Sequence, residues 1–260
     1  MLRFLRRRSR RRRRLLALVA FRDEMRFLPG LVENLAPHVD GIVALDDQST
    51  DASAEFMESQ PLVLEVLRVP PGAQEELEDG LNHRALTEAA WRHDPDWLLG
   101  IDADERVERD FRVRAEREID RAERAGHSAL WVPFRELWDD PSTYRVDGLW
   151  GEKRKACLFK ASRDHVFDDK RVHAIWASMP VPEDDWPRAD LELYHLRMLH
   201  RSDRAPRRAR YERIDPDKVW QPIGYDYLLD EEGLELRKIA PGREFFPMPE
   251  DVGKHRSELG

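Results

Sequence analysis

The segment Trp97-Leu-Leu-Gly-Ile-Asp-Ala-Asp-Glu105 carries an apolar run straight into three carboxylates within four positions. Acids this close raise one another's pKa unless a cation or hydrogen-bond donors offset them. The cluster is therefore either a solvated loop or a place for a metal ion. Two carboxylates one residue apart suit a hard divalent cation such as Mg2+, which takes oxygen ligands, keeps several waters and completes its shell with phosphates. Two more acid groups also follow apolar runs directly: Arg22-Asp23-Glu24 after LLALVAF (15–21), and DDQSTD (46–51) after GIVAL (41–45).

The elements that would position these groups alternate along the first half of the chain. Short apolar runs at 15–21, 41–45, 62–69 and 97–101 read as buried strands. Between them lie a helix capped by Asp23 with Pro29 in an early turn, a short helix at 52–59, and a helix at about 74–92. Strands alternating with helices at this spacing predict an α/β domain, and unbroken apolar strands suit a largely parallel sheet covered on both faces. Ligands of such sheets bind beyond the carboxyl ends of the strands, so all three acid groups should gather at one edge. A charged helix near 108–125 follows, then strands at 129–134, 156–161, 171–179 and 191–199, and a basic helix at 203–215. From 216 onward, recurring Pro, Gly and acids suggest a loosely packed end.

Composition narrows the function classes. The chain has 260 residues, 37% of them charged, and a net charge of −8. Residues 1–14 hold nine Arg and no acid, so the body is more acidic than that total and no specific nucleic-acid binding is expected. The Arg run would make only a weak contact with an anionic membrane. LLALVAF is too short to span a bilayer, and a single cysteine, Cys157, excludes an internal disulfide framework or a cysteine-rich zinc site. These features predict a cytoplasmic protein, peripheral at most to the inner face of the membrane. The expected organisation is a disordered tail (1–14), one domain (15–200) and a helical or irregular extension (201–260).

FRDEMRFLPGLVENLAPHVDGIVALDDQSTDAS followed by DWLLGIDADERV resembles the family 2 glycosyltransferases. The likeness covers residues 15–110 and thins beyond about 135, where LFKAS, RVHAIW and LYHLRMLHRSD are similar to the latter half of a subgroup. The resemblance implies a GT-A-like Rossmann-type sandwich with a largely parallel central sheet. It also implies hexosyl transfer from a UDP-, GDP- or dTDP-sugar, with Mn2+ or Mg2+ at the diphosphate and a glycan, lipid or small molecule as acceptor.

The same resemblance assigns roles. Phe21, Arg22 and Glu24 would line the base and ribose pocket, and Asp46 would recognise the base while Asp47 and Asp51 shape the turn. Arg84, in LNHRAL, would approach the diphosphate. Asp102 would face the ribose or metal, Asp104 would ligate the metal, and His195 in LELYHLRML would join it, with Glu105 as a helix cap. By residue type alone, Trp150 would stack on a sugar or pack in the core with equal claim, and Arg154 and Lys155 would hold phosphate or acidic acceptor groups or solvate a loop. An inverting transfer needs a base for the acceptor hydroxyl. Relatives in the subgroup tend to show His-Glu in this region, where VFDDKRVHAIW has His173-Ala174. The base is then His173, with Asp168 or Asp169 as the carboxylate alternatives, or the role has moved elsewhere in the chain.

Two rival readings remain open. A scaffold with impaired chemistry that only binds is kept alive by Ala174. A nucleotidyltransferase is disfavoured because FRDEMRF lacks a glycine-rich phosphate loop.

Overall fold

The computed structural model describes residues 12–72, 78–178 and 186–248. Strands β1 (Leu15–Phe21), β2 (Gly41–Asp46), β3 (Val63–Arg68) and β4 (Trp97–Gly100) run parallel in the order β4-β1-β2-β3. Every side chain of β2 and β4 and all but Ala20 of β1 are buried, as expected for strands covered on both faces. Helices α1 (Leu28–Leu35), α2 (Ser53–Glu58) and α3 (Asp79–Ala90) make the crossovers. Residues 74–77 of the expected third helix lie outside the described residues.

Beyond β4 the sheet turns antiparallel. It continues through β5 (Glu105–Val107), α4 (Phe111–Ala125), β6 (Ala129–Trp138), β7 (Asp140–Arg145), β8 (Arg154–Lys160) and β9 (Leu193–His195). After α5 (Arg201–Ile214), β10 (Leu236–Lys238) adds an edge strand, giving the order β10-β7-β6-β8-β4-β1-β2-β3 with β5 and β9 paired to one side. The result is an α/β fold whose parallel half carries the acid groups and whose antiparallel half faces them.

Several local expectations are corrected. Asp23 does not cap α1, which begins at Leu28 without a side-chain cap. It sits at φ 54°, and its Oδ1 accepts the amides of Thr50 (2.6 Å) and Asp51 (3.1 Å), so it clamps the β1 and β2 corners together. Residues 171–178 form no strand, because His173 takes a left-handed φ of 60°; residue 179 lies outside the described residues. Of 191–199 only Leu193–His195 is extended. The part of the chain after 216 is also better packed than its composition suggests. Phe245 is fully buried against Tyr194 (5.2 Å between rings), whose hydroxyl donates to the Arg243 carbonyl (2.8 Å).

A second apolar cluster of Trp138, Trp150, Met198, Tyr225 and Leu228 joins this region to β6. The guanidinium of Arg204 lies 3.6 Å over Trp138 and bonds Asp139 (2.5 Å) and Glu231 (2.9 Å). At the other end, Arg13 donates to Glu116 (2.8 Å), Asp120 (2.5 Å) and Glu123 (2.7 Å) on α4, so the chain is already tied to the domain before β1. Residues 1–11 lie outside the described residues. Among the described residues no helix is long and apolar enough to cross a membrane.

His38, 5% exposed after α1, has its pKa lowered to about 4 by burial. The folded pKa lies below the unfolded value, so the unfolded chain binds more protons and stability falls as pH drops from about 6.5 toward 4. In His38→Asn the side-chain oxygen can still accept the Arg112 amide that Nδ1 receives (3.4 Å). The variant should lose about 2 kcal/mol less unfolding free energy between the two pH values, measured by urea unfolding at pH 7 and pH 4.5. Equal losses in the two proteins would refute the assignment.

Candidate active site

A cavity of about 720 Å3 opens beyond the carboxyl ends of β1, β2 and β4, where parallel α/β sheets place their ligands. The β1 corner contributes Phe21, Arg22 and Glu24, the β2 corner Asp47, and the β4 corner Asp102, Asp104 and Glu105. The three acid groups do meet at one rim. Opposite stand Lys153, Arg154 and Lys155 before and within β8, His195 and Arg197 at the end of β9, and Arg207, Arg210 and Tyr211 on α5. Asp79, Asn82 and His83 of α3 and the loop at 173–176 close the remaining side.

Within the rim, acids and cations alternate. The Asp104 Oδ2 accepts from Arg197 Nε (2.5 Å) and lies 3.2 Å from His195 Nε2. Arg197 also pairs with Glu24, linking the β1 and β4 corners. His195 Nδ1 meets Glu136 Oε2 at 2.5 Å, and Lys153 Nζ donates to the other Glu136 oxygen (2.7 Å). Lys155 Nζ donates to Asp102 (3.0 Å) and Glu105 (2.6 Å), while the Asp102 amide donates to Glu105 Oε2 (3.0 Å). Glu105 is thus the first residue of β5 and a brace for the Asp102 loop, not a helix cap.

These contacts set the charges. Burial opposes ionisation of Asp104, but Arg197 and His195 outweigh it and hold its pKa well below the usual carboxylate range. Burial likewise opposes charge on His195, yet Glu136 and Asp104 raise its pKa to about 9. Burial, with the neighbouring charge of Asp102, pushes Glu105 up to about 8. His173 is lowered to about 4 by burial and by the charges of Arg207 and Lys153, so its imidazole is neutral at pH 7. Its ring stacks 5.4 Å from Tyr211.

Four expected site residues stand elsewhere. Asp46 does not reach the cavity: its Oδ1 accepts the Ser49 amide (2.9 Å) and its Oδ2 lies 3.7 Å from Arg68, so it shapes the turn. Asp47 takes the cavity position, ion-paired to Arg22 (2.9 Å), reversing the expected division of labour. Arg84 projects from the outer face of α3, its side chain 60% exposed, and pairs with Glu88 one turn on (3.0 Å). Asn82 and His83 face the cavity instead.

Asp169 is exposed outside the cavity, and its neighbour Asp168 accepts the amides of Lys170 (3.3 Å) and Ile175 (3.0 Å), pinning the loop. Trp150 is 2% exposed between Trp138 and Tyr227, so it packs a core and cannot stack on a sugar. Glu136, Lys153, Arg197, Arg207 and Asp79 are cavity residues that spacing did not single out. Only Arg197, two positions after His195, carried a local hint.

Asp104 and His195 are residue types that hold a divalent cation, and an ion there would have to take the place of the Nε2 proton and the Arg197 guanidinium that the Asp104 carboxylate now faces. The imidazole presents Nε2 beside a carboxylate oxygen while a second carboxylate, Glu136, fixes its Nδ1, which is the outer support that ligating histidines receive. Among the described residues no group of three such side chains converges, and an ion that completes its shell with water and phosphate needs fewer.

No family model matches the chain. Its similarity to curated proteins includes the uncharacterised proteins Rv3786c of Mycobacterium tuberculosis (strain ATCC 25618 / H37Rv) and Mb3815c of Mycobacterium bovis (strain ATCC BAA-935 / AF2122/97). Each is 31% identical over 239 residues, covering 85% of this chain. The chain spans 57% of the length of these relatives.

Among solved structures, S. aureus TarS residues 1–349 aligns with a TM-score of 0.48 at 13% identity, over 84% of this chain and 70% of that one. The same protein in complex with UDP-GlcNAc scores 0.47 at 12% identity, over 84% and 71%. Glucosyl-3-phosphoglycerate synthase from M. tuberculosis, in complex with Mn2+, UDP and glucosyl-3-phosphoglycerate, scores 0.35 at 16% identity, over 47% and 44%.

Proposed function

We propose that the cavity binds a nucleotide diphosphate sugar together with a divalent cation and transfers the sugar, with inversion, to an acceptor hydroxyl. The observation that carries this reading is the meeting of three acid-bearing strand ends, β1, β2 and β4, around the Asp104–His195 pair. Phe21, Arg22 and Asp47 form the corner for the base and ribose, with Asp102 beside it. Asp102 keeps 50% of its side chain open to the cavity, so it remains available to a ribose hydroxyl. Asp104 and His195 would hold the cation. A divalent ion there would stabilise the negative charge that collects on the departing diphosphate.

The chain's own cations serve the same end. Arg197, Arg207 and Lys155 line the wall facing the acids, and the carboxylates of Asp102 and Glu105 keep Lys155 fully protonated against its burial. Preorganised positive groups in a sheltered cleft stabilise developing anions without reorganising at the moment of reaction. Arg84, being outside, has no part in this.

Thermal-shift titration of UDP, GDP and dTDP with and without Mn2+ tests the reading. At a hundred times its Kd a bound nucleotide adds about 2.7 kcal/mol, which for a chain of this size raises Tm by about 5 °C or more. One nucleotide should give that shift, and only with the metal. No shift with any of the three would refute the proposal.

A further inference from the structure

The cavity is lined by eight carboxylates: Glu24, Asp47, Asp79, Asp102, Asp104, Glu105, Glu136 and Asp203. Seven are paired with a basic side chain. Glu24 and Asp104 meet Arg197, Asp47 meets Arg22, Asp102 and Glu105 meet Lys155, Glu136 meets Lys153, and Asp203 meets Arg26 (2.8 Å). Among the described residues Asp79 alone has no such partner. Its Oδ2 accepts the amide of His173 (2.8 Å), and the neighbouring Ala174 amide also draws its pKa down. Its own amide donates to the Arg171 carbonyl (2.8 Å), so the first turn of α3 and the loop 171–174 are fastened together at the cavity wall.

Pairing to a cation occupies the oxygen that an acceptor hydroxyl would approach, even where burial leaves the acid basic, as at Glu24 (about 7) and Glu105 (about 8). The Asp79 carboxylate is aimed by the His173 amide and carries no ion pair to a side chain among the described residues. Ala174 lines the same cavity.

Resting on the glycosyltransferase reading above, we propose that Asp79, rather than His173, is the general base that takes the proton of the acceptor hydroxyl. As the acceptor oxygen attacks the anomeric carbon of the donor, its proton passes to the Asp79 carboxylate. The bond from that carbon to the diphosphate oxygen breaks, and its electron pair leaves with the nucleoside diphosphate. Asp79 then returns the proton to solvent.

Burial, and after it the charge of Asp102, pushes the Asp79 pKa up to about 7, while Lys155 and the amides of His173 and Ala174 pull the other way. A base matched to neutral pH transfers protons most efficiently. The lowered pKa of His173 makes it the weaker base of the pair.

The test uses the full chain with Mn2+ and whichever nucleotide sugar of a UDP-, GDP- and dTDP-linked panel the wild-type protein turns over, with nucleotide diphosphate release as the readout. Asp79→Asn keeps an oxygen for the His173 amide and removes the basicity. Its turnover should fall by about 10²–10⁴-fold, with nucleotide affinity unchanged within about twofold. Added formate should restore turnover to Asp79→Ala and not to wild type.

Turnover of Asp79→Asn within about threefold of wild type would overturn the assignment, and so would a parallel loss of nucleotide affinity. Failure of both variants to fold would make Asp79 a clip for the loop and also overturn it. A wild-type chain that binds no nucleotide would instead sink the reading of the site, and this inference with it. Nucleotide binding with an active Asp79→Asn would leave that reading standing.

Discussion

Asp104→Asn should retain the fold and lose metal-dependent turnover by about a hundredfold or more, the scale set by removing one charge-stabilising group from an active site. The substitution preserves shape and removes a charge that three groups face: Arg197 at 2.5 Å, His195 at 3.2 Å and Arg207 at 4.0 Å. It also turns the charged donor proposed to hold the cation into a neutral amide oxygen, so the Mn2+ dependence of turnover should move to higher concentration or vanish. Stability should fall too, because breaking a buried pair strands its partners at a cost of about 3–5 kcal/mol. The open cavity beside Arg197 lets water share that charge, which places the loss at the lower end.

Asp102→Asn makes the informative contrast. With its side chain half open, it should cost less stability while still weakening nucleotide binding. Turnover measured over a Mn2+ series, with Tm for each variant, separates the two effects. An Asp104→Asn protein with the wild-type Mn2+ profile would remove Asp104 from the site.

Gly100→Ala should be strongly damaging for a change of a single methyl group. A Cβ on Gly100 would sit 2.1 Å from Cδ2 and 2.5 Å from Cε2 of Trp176, inside the indole itself. Trp176 lies flat on the last residue of β4 because glycine has no side chain there, and it stacks on His83 at 3.5 Å between ring centres. Both rings line the cavity. Their burial is nearly complete, and the His83 pKa is lowered to about 3 by it, so the imidazole is a neutral packing surface.

Overpacking a rigid aromatic costs about 1–3 kcal/mol, and this clash belongs near the upper figure because the indole can move only into the cavity or against His83. Nucleotide affinity should drop along with unfolding free energy, and the tryptophan emission should shift. A loss below about 0.5 kcal/mol would show that the loop carrying Trp176 yields freely, contrary to the fastening by Asp79 and Asp168.

How much of this was legible in the sequence follows from what local pattern can encode. An apolar run that stops in charge marks a buried strand and its exit. LLALVAF, GIVAL and WLLGI therefore announced three parallel strands and the rim on which Glu24, Asp102 and Asp104 stand. The alternation with helices announced the α/β class, and it carried no information about the antiparallel half, where strands pair across long and irregular connections. Within the rim, the choice between Asp46 and Asp47 was invisible. It depends on the residue at which β2 stops, and one step of backbone reverses the side-chain direction.

The face of α3 was similarly undecided. Arg84 looked useful by residue type, but one helical step separates it from His83, and only packing against the sheet selects which of them looks inward. The pairing of Glu136 with His195 joins residues 59 positions apart. It arises because β6 and β9 lie side by side with those two residues in register. Asp79 sits in a run of acids that reads as a solvated surface, and its tie to the His173 amide, with no ion pair among the described residues, exists only once the loop at 171–174 folds over it. Strand ends are written locally, since burial and charge alternate along the chain itself. Which acid meets which base is set by strand register and helix rotation, and those are properties of the assembled core.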